Sequence, residues 1–158
     1  MLFIKLILSG LSATILMVLV QKLYVTVSQR GITLTELFSY LLIETRKEET
    51  RPTGMSYRLY IGFIVCYLLG VFFVGVYYLL WRLGVGRFDV ITALLFGAAH
   101  GLASILLVRI TLKKHLISLG INAHFYLGLF FAHIMFSLTA IVTFNLVTQI
   151  MRVGEIQP

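Results

Sequence analysis

The sequence predicts an all-α integral membrane protein: a four-helix transmembrane bundle with an amphipathic interfacial helix between spans 1 and 2. Three observations point there. The 158 residues are 59% hydrophobic and 12% charged, whereas a soluble domain carries about 25% charged residues. Four apolar runs come near or exceed the length of about 20 residues that crosses a bilayer core. The basic residues gather at the ends of those runs rather than on one soluble face. The whole chain, 1–158, reads as a single transmembrane domain, with spans at about 3–26, 58–82, 89–112 and 122–149 and the interfacial helix at about 34–47.

The first run, Leu6 to Val20, lies between Lys5 and Lys22. It is short, but both lysines can snorkel to the interface. It has a weak basic start and no clear small-residue cleavage site, so a retained span is expected rather than a secretory signal. After it, Gly31 marks a break. Thr33 and Glu36 then have capping-box spacing. Leu34, Leu37, Phe38, Leu41 and Leu42 recur at helical intervals, while Glu36, Ser39 and Tyr40 fall elsewhere. That stripe predicts a helix lying along the membrane surface and ending before Pro52 and Gly54.

The second span runs from Leu59 to Trp81 without a charge. Ser56 is placed to cap its start. Tyr57, Tyr60, Tyr77, Tyr78 and Trp81 cluster near its ends and read as an interfacial aromatic belt. The third span, Val90 to Val108, starts behind Asp89, a natural N-cap. The fourth carries no formal charge from Asn122 to Val147. Asn145, Thr148 and Gln149 fall near its far end, where they cap it or line a vestibule.

Orientation follows from basic residues. Lys22, Arg30, Arg46, Lys47, Arg51, Arg58, Arg109, Lys113 and Lys114 make nine on the side of loops one and three. Lys5, Arg82, Arg87 and Arg152 make four on the other. This puts both termini on the non-cytoplasmic side. The same placement explains the net charge of +7 through topology and anionic lipid. Nucleic acid is not expected as a partner. The expected partners are the bilayer and another membrane protein or a second copy of the chain. Cys66 is the single cysteine, so no disulfide framework forms within one chain.

Two groups of residues hold the functional interest. Gly97 and Gly101 form G-x-x-x-G on the third span, a spacing that lets helix backbones approach, and Ala93 extends their surface. On the second span Gly62, Cys66 and Gly70 recur every four residues, a matching surface expected to pack against the first. The second group is histidine. His100 shares a face with Ala93, Gly97 and Ser104, and His133 shares one with Tyr126, Ser137 and Ala140. At about 1.5 Å per residue both lie about 17 Å from the loop joining spans three and four, so they are expected at one height near mid-bilayer. The simplest expectation is hydrogen bonding across helices, to each other or to Ser104, Ser137 or Tyr126. His115 and His124 read as interfacial.

No nucleophile elbow, phosphate-binding glycine loop or H-E-x-x-H motif occurs, and no carboxylate lies within a span to orient a Ser104–His100 pair. No enzyme, no catalytic residue, no metal site and no bound cofactor are expected. The favoured function is a non-enzymatic accessory or assembly subunit acting through helix packing. One alternative is a small carrier or channel using His100 and His133 at the midplane. Another is a haem-binding electron-transfer subunit using the same pair.

The opening "LILSGLSATILMVLV" resembles the first helix of small bacterial multi-span inner-membrane proteins of uncharacterised function, which begins with a G-x-x-A-T pattern. Gly10, Ala13 and Thr14 carry the match, and Gly97 to Gly101 corresponds to their glycine-rich third helix. The resemblance implies a four-helix protein of the bacterial inner membrane and transfers no catalytic residue. The long amphipathic loop after the first span departs from that pattern.

Overall fold

The computed structural model describes residues 1–43, 57–112 and 121–154. All regular structure among them is helical: α1 (Leu2–Ser28), α2 (Leu34–Ile43), α3 (Tyr57–Arg82), α4 (Val90–Thr111) and α5 (Ala123–Gly154). Four of these, α1, α3, α4 and α5, are long and apolar enough to cross a membrane. The stretch of the interfacial helix beyond Ile43, the Ser56 cap, Pro52, Gly54, Lys113, Lys114 and His115 lie outside the described residues.

Burial is distributed as lipid demands. The outer surface carries Leu19, Leu23, Leu68, Phe72, Leu95, Leu106, Phe131 and Leu146, while Ser9, Thr14, Gln21, His133 and Ser137 are buried. A soluble bundle would do the reverse. Hydrocarbon offers polar groups no partner, so they turn inward, and apolar side chains lose nothing by facing out.

The turn after α1 is made by backbone chemistry. Gln29 closes the helix in the left-handed region at φ 50°, and Gly31 continues the reversal at φ 91°, a conformation that costs glycine little. The capping box then forms. The Thr33 N–H donates to Glu36 Oε2 at 2.7 Å, and the Glu36 N–H donates to Thr33 Oγ1 at 3.3 Å. Gln21 of α1 adds a cap from outside, its Oε1 accepting the Leu34 N–H at 2.8 Å. The apolar stripe of α2 turns inward at Leu34 and Leu37. Ser39, expected off that stripe, is also buried. It and the Thr35 carbonyl press on Gly62 of α3, where an added Cβ would collide with both. Its hydroxyl donates to the Thr35 carbonyl at 2.7 Å, so it can be buried without leaving its proton unpaired.

The α1–α5 and α4–α5 pairs are the most extensive, and α3 leans on α1 and α2. The expected pairing of the α3 and α4 glycine faces does not occur. A Cβ on Gly70 would collide with the Thr14 hydroxyl of α1, and one on Gly97 would lie 2.7 Å from Ile134 Cα of α5. Each small-residue face is matched instead by a helix on its other side. The backbones of α3 and α4 stay apart, and large aromatic side chains bridge them near the Trp81 end. Trp81 reaches Phe96 with ring centroids 6.0 Å apart, and Tyr77 reaches Phe96 at 5.2 Å.

Asp89 caps α4 as the sequence indicates, its Oδ1 accepting the Thr92 N–H at 2.7 Å. That backbone bond, helped by the Thr92 hydroxyl and nearby Arg87, holds the carboxyl below its ordinary 3.8. A depressed native value means the cap's contribution is complete above the unfolded value and is lost as pH falls through the native one. Acidification below about pH 3.8 is therefore expected to loosen the start of α4. Trp81 reports on it, since its ring lies 4.2 Å from that of Phe88, next to Asp89. The acid-induced change in Trp81 emission should be missing in Asp89→Asn; an identical change in both proteins would show that the cap is not its source.

Candidate ligand cavity and histidine pair

Gly97 and Gly101 bring α4 close to α5. A Cβ on Gly97 would meet the His133 carbonyl oxygen at 3.0 Å, and one on Gly101 would meet the Phe130 ring at 3.0 Å. Ala93 is fully buried on the same side. This approach places His100 and His133 together at one depth, their ring centroids 4.4 Å apart and edge to face.

The hydrogen bonds assign the His133 tautomer. Nδ1 lies 2.7 Å from the Leu129 carbonyl, which can only accept, so Nδ1 carries the proton. Nε2 is then an acceptor and takes the Ser104 hydroxyl proton at 3.1 Å. His100 bonds elsewhere: its Nδ1 lies 2.9 Å from the Tyr77 hydroxyl of α3. Its ring also packs on Phe73, with centroids 4.0 Å apart. Each imidazole thus bonds across to a neighbouring helix, but neither bonds to the other, to Ser137 or to Tyr126. Membrane hydrogen bonds of this kind contribute about 0.6 kcal/mol on average. A cycle of Ser104→Ala, His133→Phe and the double variant should return a coupling of about that size; additive losses would show that the bond contributes nothing.

Tyr77, expected in the interfacial belt, is instead the partner of His100. Tyr77 and Trp81 are buried, not part of a surface belt. Position near the end of a span does not by itself separate a belt residue from a buried one. The signal was their spacing: Gly62, Cys66, Gly70, Val74, Tyr77 and Trp81 continue one stripe at intervals of three and four, and all six are buried. His124, read as interfacial, lies 3.3 Å by Nδ1 from the Tyr24 hydroxyl. Asn145 and Thr148 are half-buried and Gln149 is exposed.

Separation of α3 from α4 leaves a cavity of about 360 Å³ between them. Its wall extends from Leu34 and Leu37 of α2, beside Leu112, to His100, His133 and Phe136 near mid-span. Cys66, Leu69, Gly70 and Phe73 form the α3 wall, and Ser104, Leu107 and Val108 the α4 wall. No Asp, Glu, Lys or Arg is among the lining residues. Two residues at the rim, Leu41 and Leu107, are 38% and 66% exposed, so the cavity opens on the outside of the bundle. Among the described residues no group of three histidine, cysteine or acidic side chains is placed to hold a metal ion.

No family model, no curated protein and no solved structure matches this chain.

Proposed function

We propose that this chain is a small non-enzymatic protein of the bacterial inner membrane, with both termini on the non-cytoplasmic side, that works by binding a lipid-soluble molecule between α3 and α4. The cavity carries this reading. Its size of about 360 Å³ lies within the range of small-molecule pockets, and its character, apolar with a few convergent polar groups, is theirs. It opens where lipid would lie.

The small-residue faces lend less to an assembly role, because Gly62, Gly70, Gly97 and Gly101 all meet helices of their own chain. An accessory role would then work through the bound molecule. A through-path for a carrier is weakened by the aromatic plug beyond the histidines, where Tyr77 meets Phe136 with centroids 6.1 Å apart and Trp81 meets Phe144 at 6.3 Å. What weighs against a haem is the pair itself. Rings 4.4 Å apart leave no space for a macrocycle between them, and both nitrogens of His133 already have partners.

The test is photolabelling in nanodiscs with a diazirine-bearing long-chain alkane. Label is expected on Leu69 and Leu107 beyond the level on lipid-facing Leu95 and Leu146. The cavity-narrowing pair Cys66→Phe and Leu107→Phe should bring Leu69 down to that level. Uniform labelling of all apolar surface, unchanged by the two substitutions, would overturn the proposal.

A further inference from the structure

We propose that the cavity selects neutral molecules that carry a carbonyl oxygen on an apolar body, and that His100 supplies the hydrogen bond that recognises it. The inference rests on the binding reading above and adds the ligand's chemistry. Three observations support it.

The first is charge. No Asp, Glu, Lys or Arg side chain lines the cavity, and His133, its Nδ1 donating to Leu129 and its Nε2 accepting from Ser104, is a neutral imidazole. An ionised ligand would be buried in an apolar space without a counter-charge, at a large desolvation cost. The occupant is neutral.

The second is the hydrogen-bond inventory at the deep end. His133 has both ring nitrogens engaged, one with Leu129 and one with Ser104. The Ser104 proton goes to His133. His100 lines the cavity, and only its Nδ1 has a partner, the Tyr77 hydroxyl at 2.9 Å. Its Nε2 makes no hydrogen bond among the described residues.

The third is the sense of the Tyr77 bond. A phenol is a stronger acid than a neutral imidazole N–H, and an imidazole nitrogen accepts better than a phenol oxygen. The Tyr77 O–H therefore donates to Nδ1, and the His100 proton resides on Nε2. Among the described residues Nε2 then carries the unpaired N–H of the cavity's deep end, and that proton needs an acceptor. A carbonyl oxygen accepts without bringing a donor of its own, which the apolar walls of Cys66, Leu69 and Phe73 could not satisfy. An alcohol brings such a donor, and a hydrocarbon leaves the Nε2 proton unpaired.

Two probes isolate this chemistry: decanophenone and decylbenzene, which differ only by C=O in place of CH2. Each competes with the diazirine probe at Leu69 in nanodiscs, at matched mole fraction in the lipid. Decanophenone is expected to compete about fivefold to tenfold better, the value of one hydrogen bond in a dry site. His100→Phe should bring that ratio to about one, and His100→Gln, which keeps an N–H donor, should restore part of it. Equal competition by the two probes in the wild-type chain overturns the carbonyl proposal and leaves the binding reading standing. So does a preference that survives in His100→Phe. Failure of both probes to compete with a label that does enter the cavity also overturns the carbonyl proposal, whereas a label that never enters removes the binding reading itself. The wild-type comparison needs no variant to fold.

Discussion

Gly97→Leu is expected to separate α4 from α5 and to lower the stability of the bundle by about 3 kcal/mol, the upper end of typical overpacking costs. The atoms in the way are backbone. A Cβ at this position would lie 2.7 Å from Ile134 Cα and 3.0 Å from the His133 carbonyl oxygen. Neither can rotate aside as a side-chain tip can, so the helices must move. In lipid, little but close packing and interhelical hydrogen bonds holds helices together, and separation removes both. The Ser104–His133 bond crosses this same interface at 3.1 Å. Steric trapping or thermal unfolding in detergent should show the loss. Gly75→Leu is the matched control, because nothing lies within 4 Å of a Cβ added there. Equal effects of the two substitutions would show that the α4–α5 approach is not what Gly97 provides.

Phe136→Ala is expected to cost about 2 kcal/mol or more and to enlarge the cavity. Phe136 is 1% exposed and belongs to the cavity wall. Its ring meets Tyr77 at 6.1 Å and His100 at 5.9 Å between centroids, so one side chain on α5 supports both α3 and α4. Phenylalanine truncations in soluble cores cost about 3–5 kcal/mol. Part of that is transfer from water, which is missing when the reference state is lipid; the lost dispersion contacts remain. Thermal unfolding gives the magnitude, and a loss below about 1 kcal/mol would mean that the aromatic plug does not tie α3 to α4. Phe131→Ala, on the 51% exposed lipid face, should change little.

Much of this architecture was legible in the residues. Charge-free runs bounded by Lys, Arg and Asp located four spans, because a charge within hydrocarbon is too costly to leave unexplained. Thr33, Glu36 and Asp89 marked helix starts, because capping is a local matter of side chains reaching backbone N–H groups a few residues away. Gly31 marked the break after α1. The equal depth of His100 and His133 followed from helical rise and a short loop. Ser104, named among the expected partners of the histidines, does meet His133, but most tertiary partners were not legible. Gly62 and Gly70 looked like the mates of Gly97 and Gly101 because their spans are neighbours in sequence, yet they meet α2 and α1. Gln21 gave no sign that it caps α2 across a turn. Tyr77 sat where belt residues sit, and only the continued stripe from Gly62 to Trp81 would have turned it inward.

The sequence alone determined that the chain crosses lipid as four helices, where those helices start, and which side of each carries small or polar residues. Those features follow from solvent and local backbone chemistry, which act on every residue wherever the rest of the chain lies. The tertiary structure alone decided which face meets which helix, and with it the α3–α4 cavity and the pairing of His100 with Tyr77. Apolar helices in lipid have no hydrophobic force to order them, so shape complementarity among all five helices selects the arrangement. A glycine stripe shows that something packs closely against it, and only the assembled bundle shows what.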